Sequence, residues 1–375
     1  MFTRRLGRSD LLVSILGIGS SPFRYGTAAD CGALLTQALD AGVTYYDTAR
    51  SYVNGEEAVA QLSPGDRNRL IVATKTGARF GQPCLNDLQK SLITMRRNHV
   101  DVWMTHMVRN DEEYDACTAL GGFCDIATAA KHAGIIRAIG ASFHASTDLI
   151  LRAIQDDVFD VVMFQFNLIG RETMFGSSIE SYRNRLIPAA TARDTGVVVM
   201  KVLAGGELKH GAPGLEFVAD RSRGRDTVGG AVRYAALNPS IGVTVVGMSS
   251  SDELWQNVAA VEDVDDTDVG TFEDWTERAR RLDAGPCTRC GACLGACPEQ
   301  IEIPKVFRQY DQHRYFGMTG VAQYRYSELA VTAGACRQCG KCQDLCPEPF
   351  DIAAGLKAAH IALYRPHHQR GETHV

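Results

Sequence analysis

Eight cysteines near the end of the chain carry the strongest chemical signal. Cys287, Cys290, Cys293 and Cys297 stand in C-x2-C-x2-C-x3-C with Pro298 next, and Cys336, Cys339, Cys342 and Cys346 repeat that spacing with Pro347 next. The spacing lets three thiolates on one tight loop reach three irons of a [4Fe–4S] cube, and the proline turns the chain away after the fourth cysteine. Zinc is a poorer match, because structural zinc sites pair two C-x2-C knuckles instead of crowding four cysteines into eleven residues. The partner of each fourth cysteine stays open. A crossed arrangement puts one cube on Cys287, Cys290, Cys293 and Cys346 and the other on Cys336, Cys339, Cys342 and Cys297; an uncrossed one keeps each motif to itself. The remaining cysteines, Cys31, Cys84, Cys117 and Cys124, are scattered and read as reduced thiols. Cluster thiolates need a reducing compartment, so the expected location is the cytoplasm.

A second group of residues is chemically suggestive only when taken together. Asp47, Lys75 and His106 each close an apolar run, and Tyr52 follows shortly after the first. A strand-end lysine is commonly just solvated, and a lone histidine is commonly a satisfied core residue. Collected at one end of a set of parallel strands, the four would form a constellation.

The elements that must position them are readable from the pattern. Eight short apolar, β-branched runs cover Ile15–Gly19, Thr44–Asp47, Leu70–Thr74, Val100–Met104, Arg137–Gly140, Val161–Gln165, Val197–Met200 and Val243–Val246, with amphipathic helical stretches between them. In one of these, Asp30 to Ala41, Leu34, Leu35, Ala38 and Leu39 share a face and Gly42 stops the helix. Strict β-α alternation repeated eight times predicts an α/β fold, a (β/α)8 TIM barrel over residues 1–262 whose functional side chains gather at the strands' C-terminal ends. The alternative, an open doubly wound sheet, usually shows a G-x-G-x-x-G turn after its first strand, and this chain has none. The acidic stretch from Glu262 to Asp274 reads as a solvated linker, 263–285, turning helical near Trp275 to Leu282. Residues 286–375 read as a small, mainly helical ferredoxin-like iron–sulfur domain, with helices in Lys305–Tyr310 and Tyr324–Val331 and with a helix end and loose tail carrying His360, His367, His368 and His374.

Composition excludes other classes. The 375 residues carry a formal net charge of -5 and no Lys/Arg run, which argues against nucleic-acid binding. No stretch approaches the ~20 apolar residues of a membrane span. Arg4-Arg5 ahead of Leu11–Ile18 faintly resembles a twin-arginine export signal, but the apolar stretch is short and broken by Ser14 and Gly17.

Residues 1 to about 262 resemble the aldo-keto reductase family. The carriers of the likeness are Arg5-Leu6-Gly7-Arg8-Ser9 with Val13 to Gly19, Tyr46-Asp47-Thr48-Ala49, Gln165-Phe166-Asn167, and Val246-Gly247 through Asn257. With the cysteine motifs, the whole chain resembles that family's iron–sulfur branch. The resemblance implies a catalytic tetrad of Asp47, Tyr52, Lys75 and His106. A free phenol, with a pKa near ~10, gives up its proton sluggishly. An ammonium at Lys75 would lower that pKa, Asp47 would hold Lys75 charged, and His106 would orient the carbonyl oxygen, leaving Tyr52 as general acid.

The family also implies NADP or NAD, contacted by Ser142, Gln165 and Asn167 at the nicotinamide, by the turn from Leu203 to Gly206, Gly205 included, along the pyrophosphate, and by Gly247, Ser249, Ser250, Gln256 and Asn257 near the adenosine. Two positions depart from the pattern. Met200 stands where an aromatic often stacks on nicotinamide, and Gly247 and Glu253 stand where NADPH users often carry Lys and Arg, although Arg221, Arg223 and Arg225 could supply charge. The implied activity is reduction of an aldehyde or ketone, or oxidation of the alcohol, with two [4Fe–4S] clusters exchanging electrons with a redox partner protein. The alternative is a nicotinamide- or redox-sensing regulatory subunit with structural clusters. The charged loop from Met107 to Gly122 points to a polar small-molecule substrate.

Overall fold

The computed structural model describes residues 1–169, 182–206, 208–282, 287 and 289–365. His367, His368 and His374 lie outside the described residues. The chain forms two compact units, Met1–His210 with Val218–Thr276, and Gly211–Phe217 with Glu277–Val375.

The first unit opens with an antiparallel hairpin, β1 (Thr3–Arg5) and β2 (Leu12–Ser14). Eight parallel strands follow: β3 (Leu16–Gly19), β4 (Tyr45–Asp47), β5 (Ile71–Thr76), β6 (Val100–Val108), β7 (Ile136–Phe143), β8 (Val161–Gln165), β9 (Gly196–Met200) and β10 (Val243–Gly247). Each pairs with the next, and β10 pairs with both β9 and β3, so the sheet closes into a barrel. All eight expected strands are present. The largest extensions are at the C-terminal ends of β6 and β7, where β6 carries an irregularity between Thr105 and Val108.

The barrel interior is a packed core. Tyr45, Ala73, Val102, Met104, Val161, Met163 and Val198 point inward, and Leu6, Leu11 and Val13 of the hairpin pack into the same cluster. The hairpin therefore plugs the strands' N-terminal end and leaves the opposite end for chemistry. Its turn fits closely: Gly7 has φ +52° and a Cβ there would fall 2.2 Å from the Gly196 amide nitrogen, while the Arg8 N–H donates to the Asp194 carbonyl at 2.6 Å.

Among the described residues, the barrel helices are α1 (Ala28–Asp40), α2 (Gly55–Gln61), α3 (Pro64–Arg69), α4 (Gln82–Met95), α5 (Asp111–Thr118), α6 (Phe123–His132), α7 (Thr147–Gln155), α8 (Ile187–Ala192), α9 (Thr227–Ala236) and α10 (Ser251–Val261). In α1, Thr27 and Asp30 form a capping box, and the buried face carries Leu34, Leu35, Ala38 and Leu39, as the spacing predicts.

The acidic stretch departs from expectation. A further helix, α11, begins at Val269 and runs to Leu282. Three of the acids ahead of it, Asp263, Asp266 and Asp268, are counter-charges to arginines, while Glu262 and Asp265 are exposed as a solvated linker predicts. Asp263 meets Arg223, Arg225 and Arg233, Asp268 meets Arg233 at 2.9 Å, and Asp266 meets Arg4 at 2.7 Å. The side chains of Arg4, Arg225 and Arg233 are buried, so these carboxylates offset guanidinium desolvation.

The second unit packs α12 (Ile303–Arg314), α13 (Thr319–Ser327) and α14 (Ile352–Leu363) around Val306, Phe307, Ala322, Tyr326, Leu356 and Ala359. The helix expected over Tyr324–Val331 starts earlier and stops at Ser327. Leu329 and Val331 leave it and lie against the hydrophobic cluster instead. Among the described residues, no helix is long and apolar enough to cross a membrane.

Replacing Gly7 by Ala must shift the β9 backbone and force a left-handed Ala. The expected cost exceeds about 1 kcal/mol, read as a lowered unfolding midpoint in denaturant. An unchanged midpoint would show that the hairpin does not seal the barrel.

Candidate active site and iron–sulfur loops

Asp47 ends β4, and the loop after it keeps pairing along β5: the Thr48 N–H donates to the Ala73 carbonyl at 2.8 Å and the Arg50 N–H to the Lys75 carbonyl at 3.0 Å. This extension carries Tyr52 back toward Lys75, whose ammonium lies 5.6 Å from the centre of the Tyr52 ring. Lys75 Nζ donates to Asp47 Oδ1 at 2.6 Å and to the Thr48 carbonyl at 2.8 Å, and both charged side chains are buried. His106 comes from the irregular end of β6, with its Nε2 3.5 Å from the Tyr52 hydroxyl. The structure thus brings all four tetrad candidates to the C-terminal mouth of the barrel.

Burial sets the electrostatics. It pushes the Asp47 carboxyl up, with Lys75 pulling it back. It also raises the Tyr52 phenol, against Lys75 and reinforced by Asp47. Lys75 acts to lower the Tyr52 pKa, as expected from sequence, but desolvation outweighs it. Tyr52 is therefore a phenol at neutral pH. His106 is lowered to about 3 by burial and then by the charges of Lys75, His144 and Arg79. It is a neutral imidazole, able to donate one hydrogen bond.

A residue that sequence reasoning missed holds His106 in place. Arg79 donates to Thr105 Oγ1 at 2.9 Å, to the His106 carbonyl at 2.8 Å, to the Met107 carbonyl at 3.3 Å and to Glu113 at 3.0 Å. From the other side, the Met107 N–H donates to Ser142 Oγ at 2.9 Å. Met107 has φ +63°, and the two grips keep that strained residue, and with it the preceding imidazole, in one position. Ser142, expected at the nicotinamide, uses its hydroxyl here as an acceptor for this irregular strand end.

The tetrad opens into a cleft of about 630 Å³, a size suited to a small molecule or cofactor. Among the expected cofactor contacts, Ser142, Met200, Leu203, Gly205, Gly247 and Ser249 line it. Gln165 and Asn167 are buried at and beyond the end of β8 and do not line it. The Gln165 Nε2 is buried without a partner. Ser250 caps α10, its hydroxyl accepting from the Glu253 N–H at 3.2 Å; Gln256 donates to Asp226 at 3.2 Å; Asn257 is buried. Glu253 lines the cleft and accepts from the Ser249 N–H and hydroxyl. Arg223 and Arg225, which were expected to supply charge, are tied to Asp263. Lys201, His144 and Lys209 also line the cleft and were not foreseen. A lysine beside a strand end gives little signal in sequence, and His144 lies outside any recognised motif.

The two cysteine loops repeat one backbone course. Arg289 and Gly291 in the first, and Gln338 and Gly340 at the matching places in the second, all have left-handed φ, between 57° and 82°. In the second loop the Gln338 N–H donates to Cys336 Sγ at 3.4 Å. One cavity is lined by Cys287, Cys290, Cys293 and Cys346, and another by Cys297, Cys336, Cys339 and Cys342. Each mixes three cysteines of one motif with the fourth of the other. Among the described residues, no three ligand side chains converge as they would on a single ion. Burial pushes the Cys293 thiol up to about 11, with Cys287 adding to the shift. Gathering four thiolates in one place therefore needs a metal cation to offset their charge. The donor set fits a pair of cubes with crossed ligands.

The low pKa of His106 has a measurable consequence. The unfolded imidazole takes its proton near 6.5 and the folded one near 3. Stability from this site is full above 6.5 and is lost as pH falls across that window. His106→Gln should shrink the drop in melting temperature between about pH 7 and about pH 4; an unchanged drop would mean His106 titrates normally.

The comparisons with known proteins agree with this geometry. Residues 16–276 match the model of the aldo/keto reductase family, and residues 286–350 match that of a 4Fe-4S dicluster domain. An uncharacterized oxidoreductase, YqkF of Bacillus subtilis, is 27% identical over 46% of this chain, and the match spans 58% of that protein. L-galactose dehydrogenase of Arabidopsis thaliana is 25% identical over 70% of this chain and 88% of its own. The aldo-keto reductase AKR11C1 from Bacillus halodurans, in its holo form, superposes with a TM-score of 0.59 at 23% identity, covering 73% of this chain and 96% of that one. An aldo/keto reductase from Klebsiella pneumoniae, solved in complex with NADP and acetate, gives 0.56 at 20% identity, covering 72% and 94%. A closed eight-stranded barrel, a matching family model over most of the chain and a dicluster model behind it make this protein an oxidoreductase of the aldo/keto reductase family with a C-terminal 4Fe-4S domain.

Proposed function

We propose that the barrel reduces an aldehyde or ketone, and oxidises the corresponding alcohol in reverse, with Tyr52 as general acid and Asp47, Lys75 and His106 as its supports. The observation that carries this reading is the Lys75 ammonium, buried against Asp47 and the Thr48 carbonyl and held under the Tyr52 ring at the mouth of the cleft. The cleft fits a nicotinamide dinucleotide. Its wall includes Gly205 and Gly206, around which a Cβ would meet nothing within 4 Å, so a ligand can approach the backbone. The NADP complex of the Klebsiella relative supports the same cofactor class here. When bound, the dinucleotide supplies the two electrons of the reduction as hydride.

The chain's own residues handle the proton. Neutral His106 donates a hydrogen bond to the carbonyl oxygen and orients it. Tyr52, kept protonated by burial, gives its proton to that oxygen as negative charge develops. The phenolate left behind is stabilised by Lys75, and Asp47 offsets the cost of keeping Lys75 charged in a buried place. In the second unit, Cys287, Cys290, Cys293 and Cys346 would hold one [4Fe–4S] cluster and Cys336, Cys339, Cys342 and Cys297 another, and the clusters would supply single-electron exchange with a partner protein.

Tyr52→Phe should lower carbonyl reduction about 10²- to 10⁴-fold while dinucleotide binding, followed by fluorescence titration, persists. Retained turnover would remove Tyr52 from the acid role. Because reduction needs the phenol, kcat/KM should hold at neutral pH and fall only as pH rises through the Tyr52 pKa, with no limb near 6.5 because His106 is already neutral there.

Crossed ligation predicts a pattern of iron loss. Cys346→Ala should lose the same cube as Cys287→Ala, so the double variant loses no more iron and sulfide than either single one. Cys346→Ala combined with Cys339→Ala should lose both cubes. Additive loss in the first pair would establish uncrossed ligation.

A further inference from the structure

The two cysteine loops share a backbone course but not their charges. Arg289 and Gln338 occupy matching places, each directly before the second cysteine of its motif. The Gln338 N–H donates to Cys336 Sγ at 3.4 Å, and the Arg289 N–H serves Cys287 in the same way. The side chains then diverge. Gln338 is neutral and exposed. Arg289 turns inward: its side chain is 8% exposed and meets that of Asp311 in α12, 4% exposed, at 2.8 Å. Water and ions screen a charge so placed very little. The basic residues of the second loop are different. Arg337 is 76% exposed and paired with Glu299 at 3.0 Å, and Lys341 is exposed as well, so solvent weakens the field of both.

The guanidinium acts on the first loop's sulfur more strongly than the carboxylate that balances it. Burial raises the Cys287 thiol; Arg289 opposes this through its amide and then its charge, and Asp311 adds to it less than that charge subtracts. Burial itself pulls the other way on an anionic site, since a dry place disfavours added negative charge. That difference between the loops is only partial. Cys287 and Cys293 are buried, but Cys290 is exposed like Cys339, and Cys336 and Cys342 are half-buried. The inward guanidinium is a whole unit of charge, and the neutral Gln338 stands at its place in the other loop. The charge therefore decides the order.

We propose that Arg289 raises the reduction potential of the cube on Cys287, Cys290 and Cys293 above that of the cube on Cys336, Cys339 and Cys342, so that the first electron to enter the unit settles on the former. This rests on the two-cube reading above and holds for crossed or uncrossed ligation. Reduction adds one electron, and so one negative charge, to a site already made anionic by its thiolates, and a fixed cation nearby stabilises that state. Asp311 tempers the effect and holds the guanidinium in place.

The test is a potentiometric titration of the full-length protein, purified anaerobically and reduced with dithionite, with electron paramagnetic resonance following each cube. Two one-electron transitions are expected. Arg289→Gln should lower the upper one by about tenfold in its reduction equilibrium, about 59 mV, and move the lower one less. Asp311→Asn should move the same transition upward, and Arg289→Lys should leave it nearly in place. Opposite shifts from the two partners of one ion pair mark an effect of charge, because lost packing would move both variants alike. Shifts of the same sign, or a larger movement of the lower transition, would overturn the proposal. Removing one partner of a buried pair is costly. If Arg289→Gln loses its cube, Asp311→Asn decides: a rise in the upper potential upholds the proposal and no rise overturns it. About four irons per chain in the unaltered protein, instead of about eight, would end the two-cube reading and the proposal with it. About eight irons, with both potentials unmoved in the variants, would overturn the proposal alone.

Discussion

Two opposite charges, 2.6 Å apart and almost wholly out of water, set the terms for the barrel mouth. Neither Asp47 nor Lys75 would be tolerated there alone, since removing one partner of a buried pair leaves a charge with no compensation and costs about 3–5 kcal/mol. Adjacent parallel strands make the pair possible. β4 and β5 run in register with Asp47 opposite Ala73, which sets Lys75 two residues further along the same wall and within reach. Asp47 Oδ2 nevertheless lacks a partner, so the arrangement is not one that stability alone would select. On the proposed mechanism, an ammonium kept dry beside a phenol serves to stabilise the phenolate when a proton leaves.

The same low-dielectric pocket assigns the protonation states of the other groups. Desolvation keeps Tyr52 protonated and His106 neutral, while the burial that raises one and lowers the other also strengthens every field acting between them. The imidazole then works only if its direction is controlled, because a neutral ring can donate from just one nitrogen. Control comes from the strand end that carries it. Arg79 and Ser142 take the polar groups of Thr105, His106 and Met107, and Glu113 offsets the guanidinium charge. The loop after β6 thus contributes through α5, where Glu113 sits, to the position of a ring one strand away from Lys75. The charged loop read from sequence as a substrate wall spends its best-placed carboxylate on this internal task.

Much of this was legible before any coordinates. Strands made of β-branched runs announce themselves because a parallel barrel buries both faces, so each run is continuous and its ends are marked by polar residues. That is why Asp47, Lys75 and His106 could be placed at one mouth from position alone, and why the cysteine spacing implied two cubes. What stayed hidden was pairing over long sequence distances. Asp263 and Arg233 are thirty residues apart, and nothing in an acidic run reveals that buried arginines wait for it. Arg79 looks like any loop arginine four residues past Lys75. Gln165, Asn167 and Asn257, expected along the ligand path, are buried, and their burial was not legible, since sequence likeness specifies which strand end a residue occupies and not how its side chain is packed.

On the proposed function, the two units would handle electrons in different counts. A nicotinamide gives up a pair at once, whereas each cube takes one. Nothing in the tetrad can divide a pair: a phenol, an ammonium, a carboxylate and an imidazole move protons and fix orientation, and none of them is a one-electron carrier at ordinary potentials. Two cubes together can store both electrons, but only if something first accepts them as a pair and releases them singly. That requirement describes a flavin. On the proposed function, the iron–sulfur unit would exchange electrons with a redox partner protein, while the barrel's carbonyl chemistry would run through its own dinucleotide. Loss of the clusters with the barrel intact should therefore leave NAD(P)H-driven reduction of small carbonyls in place and abolish only electron exchange with the partner. If the dinucleotide-driven rate falls in step with cluster loss, electrons do pass between the units within this chain, and the splitting step must be sought inside it.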